Sequence, residues 1–105
     1  MNKKYTTCIA LCQQCLVDCQ YCLSQMAGKE SMNDCPKCCM ECIDACLACI
    51  KSMSANSKFS RAYAAICAEI CDWCAEQCIA HNHAHCLACA TSCKACAEEC
   101  RKIAA

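Results

Sequence analysis

CIALCQQCLVDCQYC, residues 8–22, decides the fold: Cys8, Cys12, Cys15, Cys19 and Cys22 recur at steps of four, three, four and three. Residues spaced in this way share one face of an α-helix. The ladder returns three times, as Cys35, Cys39, Cys42, Cys46 and Cys49, then Cys67, Cys71, Cys74 and Cys78, then Cys86, Cys89, Cys93, Cys96 and Cys100. Cys38 stands beside the second ladder. The mean step of about 3.5 residues is the period of left-handed coiled packing, which keeps one seam facing inward along the whole length. Four such helices put sulfur at the core position of every turn, where other proteins put leucine.

The rest of the chain supports helices throughout. The pattern predicts helix 1 from about Lys3 to Ala27, closed by Gly28. Helix 2 is expected to start from an N-cap at Asn33 or Asp34, with Pro36 in its first turn, and to run to about Ser54. Helix 3 is expected from Ser57 or Lys58 to about Ala80, and helix 4 from about His85 to Ile103. All connections are short, so neighbouring helices should be antiparallel, giving an all-α, up-down-up-down four-helix bundle with a cysteine-lined core. Gln13, Gln14, Asp18, Glu41, Asp44, Glu69, Glu76, Lys94, Glu98 and Glu99 mark the solvent faces. Ile9, Leu16, Leu23, Ile43, Leu47, Ile50, Ile66, Ile70 and Trp73 flank the sulfur, in numbers that suggest a subunit interface besides helix packing.

With 105 residues the chain can build one core, so residues 1–105 are read as a single domain. Its 20 cysteines fit a disulfide scaffold or a metal site. Disulfide mini-proteins are loop-rich, whereas this chain has one Gly and one Pro. MNKKYTTC carries no apolar stretch and no twin-arginine pair, so no export signal is expected. The longest uncharged runs are broken by Asp, Glu, Gln and Lys, which excludes a membrane span. The expected location is therefore cytoplasmic, where thiols stay reduced and a cysteine-rich pattern binds metal. Ten basic and ten acidic residues are interspersed, giving no reason to expect nucleic acid or a membrane as partner. No Ser/His/Asp constellation, phosphate loop or paired carboxylates are found, so no catalytic role is expected.

Cysteine as a small buried hydrophobe explains a handful of core positions, not all of them. Disulfides within one helix are disfavoured, because Cβ atoms one turn apart lie ~5 to 6 Å apart and a disulfide wants ~3.8 Å. Iron–sulfur ligands usually come in loop-borne sets of four. Zn(II) and Cu(I) remain, and charge separates them. Roughly five tetrathiolate zinc sites would bury about −10 in all, with no inward Lys or Arg to offset it. Cu(I) accepts two or three thiolates, and shared thiolates bring ions and sulfurs towards one to one. The column then fills without net buried charge. A zinc-handling or thiol-redox protein is the alternative.

The CxxxC and CxxC ladders, the segment HNHAHCLACATSCKACAEEC and the N-terminus without a leader together resemble the cytosolic bacterial copper storage proteins, along the whole chain. The resemblance implies a cysteine-lined bundle that stores Cu(I), often in multinuclear clusters, as a homotetramer. It carries the ligand role onto the ladder cysteines, with Cys38 and Cys49 as additions to the family's expected minimum.

The topology gathers at one end the positions that continue each stripe: Met26, Met32, His81 and His85, with His83 in the same connection. Thioether and imidazole bind Cu(I) less tenaciously than thiolate, which suits an entrance. Tyr5, Met53, Phe59, Tyr63 and Ile103 fall at the other end and read as an apolar plug.

Overall fold

The structure, a computed structural model, describes residues 1–105. It contains four helices: α1 (Lys3–Met26), α2 (Lys37–Ser54), α3 (Ser60–Ile79) and α4 (Ala84–Ala104). The backbone of each packs on its two neighbours, α1 on α2, α2 on α3, α3 on α4 and α4 on α1, and across the diagonal only sulfurs meet, Cys39 and Cys42 of α2 reaching Cys89 and Cys93 of α4 at 3.9 and 3.8 Å. The chain therefore walks around a square. Sulfur pairs fix the directions: Cys8, Cys12 and Cys22 of α1 face Cys100, Cys96 and Cys86 of α4, so rising numbers meet falling ones. Likewise Cys39 and Cys42 of α2 meet Cys78 and Cys71 of α3. Cys8 and Cys15 of α1 group with Cys49 and Cys42 of α2, again rising against falling, so the bundle is up-down-up-down, 41 Å long and 20 × 18 Å across.

The helix ends follow from local chemistry. Asn2 caps α1 by accepting the Lys4 N–H at 2.8 Å. The helix stops in a type II turn: Ala27 has φ −58° and ψ 126°, Gly28 has φ +80°, and Lys29 N–H donates to Met26 O at 3.0 Å. α2 ends in a Schellman motif, with Ser57 N–H on Ser52 O, Asn56 N–H on Met53 O, and Asn56 left-handed at φ 51°. That motif starts α3 at Ser60, two or three residues later than expected.

The start of α2 also differs. Asn33 and Asp34 do not cap it; Pro36 is the N-cap, and the Cys35–Pro36 peptide is cis. Asn33 instead turns its side chain onto the end of α3. Cys35 is thus carried by a loop, and Met32, expected to continue the α2 stripe, projects from that loop with 84% of its surface exposed.

The core is a cylinder of sulfur with small walls. All 20 cysteines are buried, and the other buried apolar residues are Ala45, Ala64, Ala68, Ala75, Ala90, Ala97, Met26, Met53 and Ile103. The buried alanines of α3 and α4, Ala64, Ala68, Ala75, Ala90 and Ala97, let those two backbones approach closely. Ile9, Leu16, Leu23, Ile43, Ile50, Ile70 and Trp73 pack against this core half-buried. At the far end Met53 and Ile103 are buried with Tyr5 against them, and the Ser52 and Ser60 hydroxyls pair at 3.1 Å. Phe59 and Tyr63, expected in that plug, are 55% and 45% exposed. They occupy the outer face of α3, one turn apart, because the inward face there belongs to Ser60 and Ala64. No helix is long and apolar enough to cross a membrane.

Candidate metal centre

Four ladders on antiparallel helices bring the thiols into one unbroken stack. Across α1 and α4, Cys12 to Cys96 and Cys19 to Cys89 are each 3.5 Å, Cys15 to Cys93 is 3.6 Å, and Cys8 to Cys100 and Cys22 to Cys86 are each 3.7 Å. Cys15 to Cys42 links α1 to α2 at 3.6 Å, and Cys42 to Cys71 links α2 to α3 at 3.5 Å. Within a helix, successive rungs such as Cys15 and Cys19, or Cys96 and Cys100, stand 3.9 Å apart. From Cys8 to Cys22 the stack runs about 21 Å along α1.

Sets of four thiols recur at every level. One set is Cys8, Cys12, Cys49 and Cys100; the next takes one cysteine from each helix, Cys12, Cys46, Cys67 and Cys96. Further along come Cys15, Cys46, Cys71 and Cys96, then Cys15, Cys19, Cys42 and Cys93, then Cys19, Cys74, Cys89 and Cys93. Within each set every sulfur lies within 4.8 Å of the others. Three thiolates around one ion with bonds of ~2.3 Å would stand about 4.0 Å apart, and two in line about 4.6 Å. The thiols are therefore already spaced for metal, needing rotamer adjustments and no movement of helices. Consecutive sets share members, so one sulfur can bridge two ions. Cys38 is off this axis, with its sulfur 4.0 Å from the carbonyl oxygen of Cys74.

All 20 cysteines are free thiols. Burial drives them towards the protonated form, as for Cys35, whose thiol it pushes up to about 12, and for Cys86, also raised by burial. Hydrogen bonds between thiols oppose burial: that from Cys39, followed by Cys78, holds the Cys22 thiol down to about 6, and neighbouring thiols lower Cys8, Cys15, Cys38, Cys67 and Cys89 as well. The buried polar side chains are Ser52, Ser60 and His81; no Lys or Arg is buried.

At the end of α1 and the start of α4, the column meets Met26, which is buried, and His85, whose Nδ1 is 3.4 Å from the sulfur of Cys86. Tyr21 meets the His85 ring edge to face at 6.3 Å. His81, His83 and His85 form a staircase of parallel rings with centroids 6.2 and 5.3 Å apart. His81 is at this end but is not aimed at sulfur: its Nε2 is 2.9 Å from Asn33 Oδ1 and 3.0 Å from Ser31 Oγ. Of the four non-cysteine candidates, the structure thus sets His85 against a thiol and buries Met26 and His81 beside the mouth, and leaves Met32 outside. Ser31, Asn33 and Gln77, which organise this end, carry no sequence signal beyond Asn33, whose place before Pro36 imitates a helix cap.

Fold and site together define a four-helix bundle whose core is a continuous multi-thiolate metal-binding column. Residues 1–105 match the family model described as Csp, copper storage protein, and the chain belongs to that family. It is 35% identical over 108 residues to the uncharacterized cysteine-rich protein YhjQ of Bacillus subtilis (strain 168), with all of both chains covered. Among solved structures it superposes on the Cu(I)-bound copper storage protein BsCsp3 with a TM-score of 0.93 and 35% identity, covering 98% of this chain and 100% of that one. The apo form of copper storage protein 3 from Bacillus subtilis gives a TM-score of 0.90 at 37% identity, covering 95% and 98%.

Proposed function

We propose that this protein stores and buffers Cu(I) in the cytoplasm, holding many ions on the thiolates of its 20 cysteines. The observation that carries this reading is the unbroken sulfur stack with no cation buried beside it. Tetrathiolate Zn(II) sites would fit the four-thiol sets by distance, but each would leave about two negative charges in a core with nothing to balance them. Cu(I) with bridging thiolates leaves close to none. The relative's Cu(I)-bound form supports the same choice. His85 and Met26 act at the mouth as exchangeable donors, and copper passes there; the end closed by Tyr5, Met53 and Ile103 stays shut, because an ion crossing apolar side chains must shed its ligands.

The chain works as a homotetramer in this reading. Val17, Tyr21 and Leu47 on α1 and α2, and Phe59, Tyr63 and Ile66 on α3, leave apolar surface exposed on two sides of the bundle. The deciding experiment is a competition titration of reduced protein with a Cu(I) chelator. Storage requires saturation near one ion per cysteine and retention against excess Zn(II). Saturation at five or fewer Cu(I) would sink it and favour a zinc or thiol-redox role.

A further inference from the structure

Cys35 is the one cysteine outside the helices: it sits in the connection between α1 and α2, yet its side chain is buried. There it lies against the thiols of Cys22, Cys78 and Cys86, across the end of the column. A single hub holds it. Asn33 Oδ1 accepts the Cys35 N–H at 3.0 Å and faces His81 Nε2 at 2.9 Å. The other half of the same amide, Nδ2, donates to Gln77 O at 2.9 Å, and Asp34 N–H donates to Gln77 Oε1 at 2.9 Å. The loop is thus riveted to the last turn of α3 by polar bonds, and it leaves α1 through Gly28, whose freedom at positive φ suits a hinge.

The chemistry of His81 follows from this pairing. Because Asn33 Nδ2 is committed to a carbonyl, the oxygen must face His81, and an oxygen that only accepts requires the hydrogen to be on Nε2. That nitrogen has no lone pair to give a metal; the lone pair is left on Nδ1, which meets no thiol. The ring is also 7% exposed and under the stacked His83 ring, with no thiol bonded to it, whereas His85 meets Cys86 directly.

We propose that His81 is a positioning residue and not a copper ligand: with Asn33 and Gln77 it latches the Cys35 loop over the mouth, and release of this latch limits how fast copper enters and leaves. Opening breaks the bonds from Asn33 and Asp34 and swings Cys35 away from Cys22 and Cys86, while every helix keeps its own hydrogen bonds. The latch itself stands on the geometry; its effect on copper traffic rests on the storage reading above.

The sign separates a latch from a ligand. Removing a relay ligand slows exchange, and removing a latch speeds it. The test uses His81→Ala, Asn33→Ala and His81→Gln in the full chain; glutamine keeps an N–H donor for Asn33 but is a poor Cu(I) ligand. The first measurement needs no copper: alkylation of Cys35 by iodoacetamide in the reduced metal-free protein, read by mass spectrometry on the tryptic peptide Glu30–Lys37, where Cys35 is the only cysteine. Cys35 should react roughly three- to tenfold faster in both alanine variants, the factor carried by one net hydrogen bond, and near the wild-type rate in His81→Gln. The second measurement is Cu(I) transfer to a chelator, expected to follow the same order at unchanged capacity. Equal labelling in all four proteins would overturn the latch. So would copper transfer that slows alike in His81→Ala and His81→Gln, since that is the signature of a lost ligand. A low copper capacity in the wild type would refute storage instead, leaving the labelling result to judge the latch.

Discussion

His85 and His81 stand four residues apart and look equivalent in sequence, both at the expected mouth of the sulfur column. Their partners separate them, since one ring nitrogen of His85 meets the Cys86 sulfur and that of His81 meets an amide oxygen. His85→Ala should therefore slow both loading and removal of Cu(I), by roughly the tenfold that loss of one charge-assisted contact of about 1.4 kcal/mol implies. Stopped-flow transfer to a chelator measures it, and an unchanged rate with unchanged capacity would remove His85 from the path. At this scale the burial of the cysteines was legible, because a ladder of one residue type at helical spacing marks one face, though Cys35, expected as a rung of α2, is carried by the loop before it. Met32, Phe59 and Tyr63 were not legible. Their placement depends on where a helix begins or which of two apolar faces turns inward: α2 begins at Lys37, beyond its expected cap at Asn33 or Asp34, which leaves Met32 on the loop and clear of the stripe.

The elements were legible in number, type and order, and their ends to within about a residue except at the starts of α2 and α3, which tertiary contacts and a turn decide. Asn2 and Gly28 act on their own helix, and α1 begins and ends within a residue of expectation. The start of α2 hinged on Asn33, which resembles a cap but bonds across to Gln77 on α3, a choice that depends on tertiary contact. The two left-handed residues offer a direct test of the turns. A Cβ at Gly28 meets nothing within 4 Å, so Gly28→Ala suffers only from its φ of +80°. Such a change should lower stability by about 1 kcal/mol. Asn56, at φ 51° in the α2–α3 Schellman turn, should lose a similar or smaller amount on substitution by Ala. Thermal unfolding of the reduced metal-free protein reads both, and melting points equal to the wild type would mean that these turns relax without cost.

For the molecule as a whole, the central question is whether copper makes the fold or fills it. Neutral thiols are acceptable core groups, and α1 alone is 24 residues long without a Gly or Pro. No buried side-chain nitrogen or oxygen lacks a hydrogen-bond partner. Both the apo and the Cu(I)-bound relatives superpose on this chain along nearly its full length, so one backbone serves both states there. Circular dichroism of the reduced apoprotein should accordingly be mainly helical before any metal is added, and a coil spectrum that becomes helical only with Cu(I) would refute this. The same separation of wall from contents bears on the homotetramer proposed above. Val17 and Leu47 are exposed on the outer α1–α2 face, while every thiol is buried. Val17→Glu with Leu47→Glu should therefore weaken association without touching a ligand: light scattering would report a smaller particle than the wild type, and the Cu(I) bound per chain would stay the same. A fall in copper per chain in step with the loss of mass would show that subunits complete one another's sites, and an unchanged particle would move the interface away from this face, towards Phe59, Tyr63 and Ile66.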